Sequence, residues 1–155
     1  MDLDFMISKL ESKDTSQAFE VLKELEGLSD NSNVLYPYIH KFIEMIYSEK
    51  YFVRVRGFRL FCKQSRWDID NIINKNIYEV LAILNDDKPT AVRQALAALQ
   101  DVVMFKKELR DTIKESVLAI DIYRYKDTMN SLILKDIEKL MNATEEIIRL
   151  KEKKC

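Results

Sequence analysis

Residues 46–63, IYSEKYFVRVRGFRLFCK, lie without a gap over residues 83–100, ILNDDKPTAVRQALAALQ. The offset of 37 that carries Ile46 onto Ile83 also carries Glu49 onto Asp86, Val55 onto Val92 and Arg56 onto Arg93. It sets Phe58, Phe61 and Cys62 on Ala95, Ala98 and Leu99. A self-similarity of this period constrains the fold more than any local propensity, because one such unit cannot bury its apolar face alone and must stack on copies of itself. One step back puts Ala18, Val21 and Leu25 on the same lattice, and one step forward puts Met129, Leu132 and Asp136 there. These outer copies are degenerate, as terminal repeats that turn a polar face to water must be.

Each repeat holds a pair of helical segments. Apolar residues step by three or four at Leu35, Ile39, Phe42, Ile43 and Ile46, at Ile69, Ile73, Ile77, Val80, Leu81 and Leu84, and at Leu109, Ile113, Val117 and Ile120. Asp14, with Gln17 three residues on, and Asp127 supply side-chain acceptors for the free amides of a first turn. Pro89 suits a helix start, where its missing N–H costs nothing. With two Gly and two Pro in 155 residues there is too little turn chemistry for a many-stranded sheet. The pattern predicts eight helices, near residues 2–11, 15–28, 35–48, 52–66, 70–84, 89–104, 107–121 and 128–150. The expected fold is all-α, an α-α superhelix of about four helical hairpins in a single domain over residues 1–150, followed by a frayed tail over 151–155.

The same residues exclude much chemistry. Gly27 and Gly57 stand too far apart for a dinucleotide or phosphate-binding glycine loop. His40 is the single histidine, one turn before Glu44, and is read as a surface or half-buried imidazole rather than as part of a triad or a metal site. Cys62 sits on an apolar lattice position and is read as core; with Cys155 it makes no disulfide framework. Glu145 and Glu146 are adjacent, so they diverge on a helix and suit solvation rather than acid–base work. No catalytic residue, metal or cofactor is expected. The N-terminal residues lack a basic segment and no apolar run reaches the length of a bilayer span, so a cytoplasmic protein is expected.

LNDDKPTAVRQALAAL, residues 84–99, resembles the second half of a HEAT repeat: an Asp-containing turn with Pro leads into a helix that opens Val-Arg and continues with small and aliphatic residues. Val55-Arg56 opens a second copy. VLKELEGLSDNSNVLYPY (21–38), VRGFRL (55–60), WDIDN (67–71) and YKDTMNSLILKDI (125–137) are similar to a family of small bacterial HEAT-like proteins often labelled "SufBD protein". That resemblance implies the helical-repeat fold, a bacterial cytoplasmic origin and, through the label, an accessory role in iron–sulfur cluster assembly; it implies no catalytic residues. The trio Arg66-Trp67-Asp68 resembles a feature of HEAT-like alkylation-repair glycosylases, which would imply nucleic-acid binding. Read locally, Trp67 plugs the turn between hairpins while Asp68 or Asp70 caps the next helix.

Net charge is −1, yet Lys50 to Arg66 holds six bases (Lys50, Arg54, Arg56, Arg59, Lys63, Arg66) and no acid, leaving 19 bases against 26 acids elsewhere, a net of −7. At 100° per residue Arg56, Arg59, Lys63 and Arg66 share one arc, opposite Val53, Phe58, Leu60 and Phe61. They form the candidate partner-binding residues, a cationic ridge facing the groove of the stack. The expected function is a non-enzymatic scaffold that binds an acidic protein or peptide. A nucleic-acid-binding protein using the ridge on phosphates is the second reading, and a part in iron–sulfur assembly the third.

Overall fold

The computed structural model describes residues 2–153, and among them the chain is all-α, with eight helices and no strand. The helices are α1 (Leu3–Ser8), α2 (Thr15–Asn31), α3 (Ile39–Ile46), α4 (Tyr51–Lys63), α5 (Ile72–Val80), α6 (Pro89–Phe105), α7 (Arg110–Leu118) and α8 (Asp127–Lys153). Short 3₁₀ turns extend several of them, at 9–11, 64–67 and 81–85 among others. The expected helices over 2–11, 52–66 and 70–84 are thus each an α-helix followed by a tighter last turn, a common way to satisfy terminal carbonyls. Helix α8 continues to Lys153, so the backbone of the expected tail is helical as far as it is described, and residues 154 and 155, Cys155 with them, lie outside the described residues.

Local chemistry sets each helix start. Asp14 accepts from the Gln17 amide at 3.1 Å ahead of α2, and Pro89 occupies the first turn of α6. Two residues before the cap of α2, α4 and α6 stands the same device: Ser12 accepts from Asp14 N at 3.0 Å, Ser48 from Lys50 N at 3.1 Å and Asp86 from Lys88 N at 3.0 Å. Asp68, rather than Asp70, caps α5, its two carboxylate oxygens accepting from Ile72 N and Ile73 N at 2.8 Å each. Asn71, just before α5, carries the left-handed backbone (φ 57°) that asparagine tolerates better than most residues.

Helices α2, α4, α6 and α8 pack in sequence order, each on the next, while α3 packs on α4 and α7 on both α6 and α8. The α3–α4 crossing is close because Gly57 has no side chain: a Cβ there would lie 2.6 Å from Met45 Cβ and 2.7 Å from the Phe42 carbonyl oxygen. The core between these helices holds Phe42, Phe58, Phe61, Leu25, Leu60, Ile73, Ile77 and Leu84, all essentially without exposure. Val55 and Val92, Phe58 and Ala95, and Cys62 and Leu99, paired by the sequence repeat, are all buried. Among the described residues no helix is long and apolar enough to cross a membrane.

Candidate functional site

A groove of about 490 Å³ opens along the α2, α4 and α6 row. Residues spaced three and four apart put one face of each helix into it: Lys23, Glu26, Gly27 and Asp30 from α2, Arg59 and Lys63 from α4, and Gln94, Ala97, Ala98 and Asp101 from α6. Its floor is low because the residues there are small. A Cβ added to Gly27 would meet nothing within 4 Å, and Ala97 and Ala98 present only methyl groups.

The α4 cations bridge the two neighbouring helices across this groove. Glu26 clamps Arg59 with two bonds, Oε2 to Nε at 3.1 Å and Oε1 to Nη2 at 2.7 Å. Arg59 Nη1 donates to Gln94 on the other wall at 2.9 Å. Lys63 Nζ stands 2.9 Å from Asp30 and 3.7 Å from Asp101. Burial pushes the Asp101 carboxyl above its ordinary value, against the pull of Lys63, and the neighbouring charges of Asp30 and Glu26 add to that rise. Burial works against the Lys63 charge, but its bond to Asp30 and the fields of Asp101 and Glu26 outweigh this and raise its pKa.

Of the four expected ridge residues, Arg59 and Lys63 therefore line the groove as members of ion pairs. Arg66 donates from Nη1 to the Asp30 carbonyl and lies over the Phe105 ring, 4.8 Å from its centroid. Arg56 departs from the ridge altogether: it is only 6% exposed, and its Nη1 donates to the carbonyls of Leu10 and Ser12 at 2.8 Å each. The helical wheel put it at the edge of the polar arc, the side that the turn between α1 and α2 covers. The acids that pair with α4 were the functional residues missed in the sequence. Their signal was present, since Glu26 and Asp30 repeat on α2 the i, i+4 spacing of Arg59 and Lys63 on α4.

The other residues singled out behave locally. Trp67 Nε1 donates to the Ser29 carbonyl near the end of α2 at 2.7 Å. Asp68, with Lys106 Nζ at 3.0 Å and the Tyr36 hydroxyl at 2.9 Å, forms a buried knot at that end of the fold. Burial and the bonds to Asp70 and Asp68 raise the Tyr36 pKa, holding its proton on the oxygen. Cys62 is enclosed among apolar side chains, which drives its thiol pKa well up and withholds the thiolate. His40, Glu145 and Glu146 are exposed. Among the described residues no three His, Cys, Asp or Glu side chains converge as metal ligands would. Compared with known proteins, the chain matches no family model, no curated protein and no solved structure.

Proposed function

We propose that this chain is a HEAT-like helical-repeat module whose α2–α4–α6 groove receives a segment of a partner protein. The observation that carries the reading is the groove itself: a trough floored by Gly27, Ala97 and Ala98 and walled by charges of both signs. Such a surface offers donors and acceptors along an extended backbone, with room for side chains between them.

The repeat architecture is supported by three features. The 37-residue offset aligns positions that are buried in both copies, such as Val55 with Val92. The turn ahead of each inner helix recurs at Ser12, Ser48 and Asp86. Long-range side-chain bonds join one hairpin to its neighbour, as Arg54 to Asp86, Tyr47 to Glu79 and Arg124 to Asp87 do, which is the nearest-neighbour pattern of a stacked array.

The charge pairing favours a protein segment over nucleic acid. A phosphate backbone arriving at Arg59 or Lys63 meets Glu26, Asp30 and Asp101 already in place, and displacing them costs the pairing energy that phosphate contacts would return. Binding by ion-pair exchange with an acidic peptide meets the same acids, so the groove suits a segment bearing both charge signs, with its acidic residues directed elsewhere than Lys63. Iron–sulfur handling draws on several accessible Cys or His ligands; among the described residues Cys62 is enclosed and His40 is a single exposed imidazole.

The test is affinity capture with the intact protein beside Gly27→Phe, which fills the groove from a position with free space around its Cβ. The variant should melt no lower than the parent and lose the captured protein, and the purified partner should repeat the loss. Equal capture by parent and variant would overturn the reading.

A further inference from the structure

Arg56 is a buried cation without a counter-charge. Among the described residues no carboxylate pairs with it, and its only hydrogen bonds leave from Nη1, to the Leu10 and Ser12 carbonyls. Those two bonds tie the turn before α2 to α4, and they account for one nitrogen of the guanidinium. Nε and Nη2 donate to no described group, while the Phe52 ring lies with its centroid 5.0 Å from the guanidinium carbon. Burial lowers the affinity of this guanidinium for its proton; the field of the Tyr51 phenol acts against that only in part, and no carboxylate does. Neither Nε nor Nη2 is sealed from solvent, so both can receive an anion, and a cation held this deep without a counter-charge favours one.

The side chain lines a second cleft, of about 280 Å³, which adjoins the groove and shares Arg59 and Gln94 with it. Its other walls are Thr15, Phe19, Leu22, Tyr51, Phe52, Val55 and Thr90. The contrast with the groove is in charge: three carboxylates line the groove, whereas none lines this cleft. The cleft also lies at the first turns of α4 and α6, whose positive dipole ends favour an anion, while the start of α2 on its third wall already holds the Asp14 carboxylate. Lys50 and Lys88, at the caps of α4 and α6, add no side-chain capping bond, although their backbone carbonyls accept from the Val53 and Ala91 amides. Phe19 and Tyr51, half exposed at the mouth, supply apolar surface beside this charge.

Resting on the peptide-groove reading above, we propose that this cleft anchors the partner segment by a carboxylate next to an apolar side chain, with Arg56 as the residue that receives the carboxylate. The volume suits one side chain and its carboxylate and is below that of pockets that enclose a whole drug-sized ligand. A chain-terminal carboxylate and an aspartate or glutamate side chain present the same chemistry here. The Arg56 fork has two nitrogens left to give it, and charge-assisted bonds of this kind are the strong ones. Phe19, Tyr51 and Phe52 would flank the apolar neighbour.

The experiment titrates the isotope-labelled intact protein, followed by NMR at Phe52, Val55 and the Arg56 side chain. N-acetylphenylalanine stands for a terminal carboxylate and N-acetylaspartyl-phenylalaninamide for a side-chain one; N-acetylphenylalaninamide and inorganic phosphate are the controls. One of the two carboxylate probes should saturate the cleft, and which one does identifies the source, while both controls should bind at least about tenfold more weakly. Arg56→Gln should lose the probe, but it also cuts the tie to Leu10 and Ser12. Gln94→Glu therefore provides the cleaner variant: it keeps an acceptor for Arg59 and puts a negative charge in the cleft, and it should weaken the probe at least about tenfold. Binding by neither carboxylate, phosphate binding as well as the probes, or a Gln94→Glu variant that binds as the parent does would each overturn the proposal. Gly27 lines the groove and not the cleft, so Gly27→Phe should leave the probe unaffected. Probe failure with partner capture still sensitive to Gly27→Phe removes the cleft alone. A probe that binds while capture ignores Gly27→Phe supports the anchor and removes the groove.

Discussion

Arg54 at the start of α4 and Asp86 in the turn before α6 form a two-bond ion pair, Nε to Oδ2 at 2.9 Å and Nη2 to Oδ1 at 3.1 Å. Arg54 Nη1 also donates to the Ser48 and Glu49 carbonyls of its own turn, so a single side chain joins the turns that precede α4 and α6. Asp86 has only 5% of its side chain exposed and accepts the Lys88 amide as well. Asp86→Ala should therefore cost about 2 to 4 kcal/mol, since it leaves an under-compensated guanidinium and removes a turn acceptor. Arg54→Ala should cost a comparable amount, about 2 to 4 kcal/mol, because it strands a carboxylate that is only 5% exposed, although Asp86 keeps the amide. Chemical denaturation of both single variants and the double variant checks this, and additive losses would show that the two residues do not couple.

The two glycines should respond to alanine with opposite signs. Gly57→Ala drives a methyl group into Met45 Cβ and the Phe42 carbonyl across the α3–α4 crossing and should destabilise by about 2 kcal/mol or more. Gly27→Ala points into open space, gains helix propensity and should stabilise by about 0.5 to 1 kcal/mol. Thermal and denaturant melts of the pair decide both, and a neutral Gly57→Ala would mean that α3 and α4 are farther apart than described.

How far the fold was legible shows at particular positions. The buried pairs Val55 with Val92 and Cys62 with Leu99 follow from the offset in the sequence, because repeated packing demands repeated apolar positions. The fate of Arg56 does not follow, because a helical wheel assigns a face but not which neighbouring turn covers its edge; that depends on where residues 9–12 return to the fold. The groove was legible in half. The bases on α4 stood out as a run without acids, whereas Glu26, Asp30 and Asp101 sit among residues of mixed charge and become partners only when α2 and α6 flank α4. The left-handed Asn71 is a conformation its residue type permits, but its side-chain bond to Lys106, in the knot with Asp68, is a tertiary contact with no local signature.

Neutralising the α4 cations should weaken the fold, not only discharge a surface. Arg59→Gln strands Glu26, whose side chain is 16% exposed, and should cost about 1 to 3 kcal/mol. The fourfold variant with Gln at Arg56, Arg59, Lys63 and Arg66 should melt well below the parent. For the same reason the parent should bind duplex DNA negligibly at physiological salt, as measured by fluorescence anisotropy; tight binding with a log–log salt slope near −3.6, about −0.9 for each of four phosphates, would contradict this.

Asp101 makes a pH prediction. Its folded-state pKa is raised by burial, so the folded chain holds this proton more tightly than the unfolded chain does. The corresponding stability is fully present below the unfolded value, about 3.9 for aspartate, and is lost as pH rises through the folded value. Asp101→Asn removes that loss, so its stability relative to the parent should increase from acid pH toward neutrality. Urea melts across this window test the sign, and a relative stability that falls with rising pH would show that the Lys63 pair outweighs burial.

Leu99, without exposure in α6 between α4 and α8, tests the array as a whole. Leu99→Ala should cost about 2 to 5 kcal/mol, and under the proposed stacked array, in which each hairpin stabilises only its neighbours, unfolding should also become less cooperative. A cost within about 0.5 kcal/mol would place the residue at a surface and contradict the packing.

The most direct measurement of the groove reading is methyl NMR of the intact protein, with alanine and leucine labelled, titrated with the purified partner obtained by capture. Ala97 and Ala98 form the groove floor on α6, while Leu118 on α7 is 61% exposed and lines no part of the groove. The account predicts that the Ala97 and Ala98 methyl signals shift and saturate with the partner while those of Leu118 stay in place. Leu118 signals that shift while both alanine methyls stay unmoved would contradict it.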